Sequence, residues 1–101
     1  MGNIDETSNQ APTPAPWQIV EGELRAKFST ENFATGLSFV NAVGQLAEDA
    51  QHHPDVFLTY PSVQLALFSH EEGSLTDKDF EMARKISEIA ADQGVKYGQI
   101  G

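Results

Sequence analysis

The stretch Glu21-Gly22-Glu23-Leu24-Arg25-Ala26-Lys27-Phe28-Ser29-Thr30-Glu31 decides how the chain must fold. From Glu23 to Phe28 charged and apolar residues alternate. A period of two marks a half-buried strand, with Leu24, Ala26 and Phe28 facing inward. Glu21-Gly22 before it is a turn, with Gly22 free to take positive φ, so the short apolar run Trp17 to Val20 becomes the partner strand of a β-hairpin. After Phe28 the period changes. Ser29 or Thr30 is placed to cap a helix, with Glu31 in its first turn. Phe33, Leu37, Val40, Val43 and Ala47 then recur at spacings of three and four, widened by Phe39, Leu46 and Ala50. This predicts an amphipathic helix running to His52, with that stripe against a core. Gly36 and Gly44 each weaken the helix by up to about 1 kcal/mol relative to Ala, and read as points of close packing on a sheet.

The same order of elements follows once more. Val56 to Tyr60 is rich in β-branched and aromatic residues, Pro61-Ser62 breaks it, and Val63 to Ser69 resumes. Val63, Leu65 and Leu67 share one face; Gln64, Ala66, Phe68 and His70 share the other, giving a second hairpin. Glu71-Glu72-Gly73 is an acidic turn. Thr76 with Asp79 forms a capping box ahead of a helix on which Met82, Ile86, Ile89, Ala90 and Gln93 trace one face, with Phe80 and Ala83 beside it. Gly94 is its stop. The fold class that results is α+β: a two-layer ββαββα domain over residues 17–94, with two helices on one face of a four-stranded antiparallel sheet. Residues 1–16, with Pro12, Pro14 and Pro16 alternating with small residues, read as a disordered leader. Residues 95–101 read as a frayed tail.

Composition narrows the functions open to such a domain. The chain has 101 residues and a formal net charge of −9. That field repels phosphate backbones and anionic lipid surfaces, which argues against nucleic acid and membrane partners. With no cysteine there is no disulfide framework, thiolate zinc site or thiol nucleophile. No apolar run is long enough to span a bilayer, and no secretory signal is recognisable, so a soluble cytoplasmic protein is expected.

The chemistry left is imidazole chemistry. The three histidines, His52, His53 and His70, fall at the ends of expected elements. Pro54 disfavours helical geometry at the residue before it, which places His52 in the last helical turn and His53 in the extended exit. The helix C-terminus, and Glu48 four residues earlier on the same face, would support positive charge on His52. A histidine cluster of this kind suits proton transfer near neutral pH. A metal hydrolase built on the three histidines is the weaker alternative, because adjacent histidines cannot present both rings on one helix face.

Glu48, His52-His53-Pro54, Tyr60, His70 and Asp79 together resemble the signature of the pterin-4a-carbinolamine dehydratases. That signature is a charged residue, three residues, His-His-Pro, an aromatic, a His and an Asp at restricted spacings. Trp17 with Leu24 and Phe28, the helix start around Phe33, and Ser69-His70-Glu71 with Leu75-Thr76 are also similar to the family. The resemblance covers roughly residues 17–93.

It implies the ββαββα fold and dehydration of 4a-hydroxytetrahydropterin to quinonoid dihydropterin, which recycles the pterin cofactor of aromatic amino acid hydroxylases. It implies no metal or organic cofactor, and a homo-oligomer, dimer or tetramer. By the same resemblance His52, His53 and His70 are the catalytic set, and the pterin lies against Gln51, His52 and His53 and against Phe68, Ser69, His70 and Glu71. Our assignment makes His52 and His70 the acid–base pair, with His52 the better candidate for the acid, and His53 the orienting contact. Glu48 and Asp79 are supporting residues, Asp79 chiefly as a cap. Tyr60 is expected to pack in its strand. Val56 stands where some members carry an aromatic, and Gln51 where some carry Asp. Animal members also bind a homeodomain transcription factor as a dimerisation cofactor, and no motif for that role is found here. A non-catalytic binding or dimerisation module on the same fold is the competing function.

Overall fold

The computed structural model describes residues 13–99. The elements run β1 (Gln18–Val20), β2 (Glu23–Ser29), α1 (Phe33–Ala50), β3 (Asp55–Leu58), β4 (Ser62–Leu67), α2 (Asp77–Gln93) and β5 (Lys96–Tyr97). Glu21 and Gly22 both take positive φ, 52° and 80°. That is the backbone twist a two-residue hairpin needs, and β1 folds back antiparallel on β2. The sheet order is β1-β2-β4-β3. In the β2–β4 ladder Leu24 faces Leu67, Ala26 faces Leu65 and Phe28 faces Val63. All six are at most 2% exposed. The alternation in the sequence therefore becomes three apolar cross-strand pairs beneath the helices. Phe39 of α1 stacks at a tilt on Phe28, with ring centroids 5.0 Å apart. Met82, Ala83, Ile86 and Ala90 of α2 complete the core. Among the described residues no helix is long and apolar enough to cross a membrane.

Several expectations need correction. The cap of α1 is Asn32, whose side chain accepts the Thr35 N–H at 2.8 Å, not Ser29 or Thr30. β2 runs on through Ser29, and the N–H groups of Thr30 and Glu31 are taken by the Pro61 carbonyl, so the helix cannot start there. Glu31 accordingly lies before the cap. The later start is matched by a different buried stripe: Gly36, Phe39, Val43 and Ala47 are buried, whereas Phe33 and Leu37 are exposed. Gly36 does mark a close approach, since a Cβ there would stand 2.8 Å from Leu58 Cδ1; Gly44 has nothing within 4 Å. On α2, Gln93 is exposed.

The sheet also gains a short fifth strand. Val95 is buried, and β5 pairs with β2 at Phe28 and Ser29, on the same edge that β1 occupies at residues 23–25. The stretch expected to fray thus caps the core. Of the expected leader, residues 1–12 lie outside the described residues. Just before Trp17 the chain is fastened to α2: Ser87 Oγ accepts the Trp17 indole N–H at 3.1 Å and donates to the Ala15 carbonyl at 2.8 Å.

Candidate active site

The site begins where α1 ends. Gln51, the C-cap, takes the left-handed conformation at φ 52°. The His52 N–H reaches back to the Ala47 carbonyl at 3.1 Å, closing a Schellman-type turn. The Gln51 side chain donates to the Glu48 carbonyl at 2.7 Å, covering a second orphaned helix carbonyl. The αL turn, which a glycine would adopt without strain, throws the next two residues off the helix axis. His52 is therefore beyond the helix, not in its last turn.

The two rings separate at once. His52 turns inward, its Nε2 lying 2.6 Å from Oδ1 of Asp79, a side chain with no exposure at all. His53 stays outside, its Nε2 lying 2.6 Å from Oε2 of Glu48 in a largely exposed pair. Glu48 was expected to support His52; the turn at Gln51 gives it to His53 instead. Asp79 is more than a cap. Its Oδ2 accepts the Thr76 N–H at 2.9 Å, closing the capping box, and the Ser69 hydroxyl at 2.8 Å.

His52 and His53 meet the second predicted segment across one groove of about 250 Å³. Its walls include Gln51, His52 and His53 on one side and Phe68, Ser69, His70 and Glu71 on the other. All seven residues expected to hold the substrate line it. Sequence reasoning missed two more, Glu72 and Lys78. Their positions next to Glu71 and Asp79 were the available signal. Phe68 meets His70 edge-to-face, with centroids 5.1 Å apart, which limits the tilt of an otherwise exposed imidazole. Ser69 sits differently from its neighbours. It is 3% exposed and its hydroxyl is spent on Asp79 and Thr76. Tyr60, expected to pack in its strand, is 67% exposed and lies beyond the end of β3.

Farther along α2, hydrogen bonding to Arg84 holds the exposed Glu81 carboxyl below its ordinary range. Among the described residues no three His, Asp or Glu side chains converge as a metal-binding cluster. A second depression, about 280 Å³ on the outer face of the sheet around Arg25, Phe57 and Gln64, contains no histidine.

The fold and the groove define a class: an α+β protein with a histidine-lined cleft between a helix end and a strand end. The chain belongs to the pterin 4 alpha carbinolamine dehydratase family, whose model matches residues 3–89. A relative from Thermomicrobium roseum, provisionally named a pterin-4-alpha-carbinolamine dehydratase, is 40% identical over 75 residues, covering 74% of this chain and 81% of its own. A solved structure from Brucella melitensis, described as a transcriptional coactivator/pterin dehydratase, superposes with a TM-score of 0.72 at 33% identity over 75% of this chain and 83% of that one. A pterin dehydratase-like protein described as a RuBisCO assembly factor in the alpha-carboxysome shares the fold, with a TM-score of 0.61 at 19% identity over 73% of this chain and 86% of that one.

Proposed function

We propose that the protein dehydrates 4a-hydroxytetrahydropterin to quinonoid dihydropterin by histidine acid–base catalysis, returning the pterin cofactor used by aromatic amino acid hydroxylation. The observation that carries this is the groove itself, in which three imidazoles from two distant segments, His52, His53 and His70, border one space. The reaction asks for two proton transfers. The C4a–oxygen bond breaks as the hydroxyl takes a proton and leaves as water. The adjacent ring nitrogen gives up its proton as the C=N bond forms. One neutral and one protonated imidazole on the facing walls of the groove meet both needs.

His52 and His70 are the pair. The helix end and Glu48 favour His52 as the acid only if they meet its ring. The helix end instead bonds its backbone N–H, Glu48 pairs with His53, and the ring pairs with Asp79. A ring whose Nε2–H is donated to a carboxylate keeps a lone pair on Nδ1, which suits the base, and the carboxylate stabilises the imidazolium formed when it accepts a proton. His70 is then the acid at the hydroxyl. His53, tied to Glu48, orients the pterin, with Gln51, Phe68 and Glu71 as further contacts.

The test is turnover of chemically generated 4a-hydroxytetrahydropterin. A folded protein with no rate above buffer would favour the competing reading, a non-catalytic assembly module. That reading draws on one fold relative described as an assembly factor. We also infer self-association: among the described residues β3 is a sheet edge with no outer partner, with Val56 44% and Phe57 60% exposed. Light scattering at micromolar concentration checks it, and a monomer would contradict it.

A further inference from the structure

We propose that Ser69 is a positioning residue, not a substrate contact, and that through Asp79 it fixes both the spacing of the two groove walls and the nitrogen that His52 offers the substrate. The proposal rests on the function read above.

Both oxygens of the buried Asp79 carboxylate are engaged, by three partners in all. Oδ1 of Asp79 faces His52 Nε2 at 2.6 Å. Oδ2 takes the Thr76 N–H at 2.9 Å and the Ser69 hydroxyl at 2.8 Å. The Ser69 hydroxyl has a single proton, and it goes to Asp79. Thr76 Oγ1, 2.9 Å from Ser69 Oγ, must then be the donor in that contact. The chain of donors therefore runs Thr76 to Ser69 to Asp79, and His52 donates to the other oxygen. Buried polar networks with every member satisfied are rigid, because any rotation leaves a donor unpaired away from water.

Two consequences follow. First, with Nε2–H committed, the neutral His52 ring is held in one tautomer and only Nδ1 is free to exchange a proton with a ligand. Second, Asp79 joins the two walls. His52 belongs to the 51–53 wall. Ser69 lies between Phe68 and His70 in the other, where the chain that follows β4 makes an isolated antiparallel bridge from Ser69 to Ser74. The span between the His52 and His70 rings is thus set by a strut that neither ring shows to solvent. A misplacement of about 1 Å between reacting groups costs on the order of 10²-fold in rate.

The experiment has two arms. In the first, nitrogen-15 correlation spectra of the histidine rings are recorded on the ligand-free protein. His52 should appear as the Nε2–H tautomer with a strongly downfield ring proton, and Asp79→Asn should abolish that preference. A His52 present as the Nδ1–H form or as an even mixture overturns the proposal, whatever the protein catalyses. In the second, Ser69→Ala should lower kcat roughly tenfold or more and leave KM within about twofold, while Ser69→Thr, which keeps the hydroxyl, should restore most of the rate. A raised KM with unchanged kcat would make Ser69 a substrate contact and overturn the assignment, as would failure of a folded Ser69→Thr to recover more than the Ala variant. Absence of turnover by the wild type would instead remove the dehydratase reading, and the tautomer arm would still decide the strut.

Discussion

Two histidine–carboxylate pairs stand side by side in this molecule with the same 2.6 Å separation, and they differ in everything except distance. His52 with Asp79 has side chains 15% and 0% exposed; His53 with Glu48 has side chains 55% and 68% exposed. The outer pair spans one helical turn and its exit, lies in water, and is screened by salt. The inner pair joins segments 27 residues apart, and each partner would be left stranded without the other. Contact geometry alone would rank them equal. Burial makes one a structural joint and the other an adjustable contact.

The inner pair should break hardest. Asp79→Ala removes the N-cap partner of α2 and three hydrogen bonds at once, leaving Ser69 and the Thr76 N–H unpaired in the interior. We expect a loss of about 3–5 kcal/mol in urea unfolding at constant slope, together with loss of dehydration. A loss below about 1 kcal/mol would mean that water takes the place of the carboxylate and that the joint is not sealed.

His52→Ala comes next. It leaves Asp79 with one oxygen unpaired in a fully buried position, so it should cost about 1–3 kcal/mol of stability as well as roughly 10²-fold or more in rate. His70→Ala, at an exposed position, should lose a similar factor in rate with stability nearly unchanged. Near-wild-type rates in either variant would remove that residue from the acid–base pair. The contrast in stability is the sharper check, because it separates the joint from the chemistry.

What the sequence made legible, and what it did not, follows the same divide. The hairpins could be read because Leu24, Ala26 and Phe28 alternate with charges, and Val63, Leu65 and Leu67 repeat the period. The capping box of Thr76 and Asp79 could be read because both ends of a local hydrogen bond lie three residues apart. Seven of the nine groove residues were expected, the three histidines from their place at element ends and Gln51, Phe68, Ser69 and Glu71 through resemblance to a family motif. The partner of His52 could not be found in this way. The rule that pairs residues four apart holds only while the helix continues, and Gln51 ends it in a left-handed turn that usually announces itself with glycine. Once the turn is there, Glu48 meets His53, and a carboxylate 27 residues away meets His52. The strand β5 escaped for a related reason: Lys96–Tyr97 is too short to carry a period, and its place is dictated by the free edge of β2 at Phe28 and Ser29.

The outer pair gives the smallest expected effect and the most discriminating one. If Glu48 supported the reacting ring, Glu48→Gln would move the pH dependence of the rate. In this molecule Glu48 touches His53, the orienting contact in our proposal, and its carboxylate is not the one paired with His52. The substitution should therefore leave the limbs of the rate–pH profile where they are. Stability should change by no more than about 0.5 kcal/mol, since exposed ion pairs contribute little. What should move is KM, upward and by a few-fold at most, because a freed His53 samples more orientations before it meets the pterin. The same rise should be reproduced in the wild type by added salt, which screens the outer pair and leaves the buried one intact. Rate–pH profiles of wild type and Glu48→Gln at two ionic strengths measure all of this in one series. A displaced limb in the variant would place Glu48 back in the chemistry, and would mean that the turn at Gln51 opens when substrate binds.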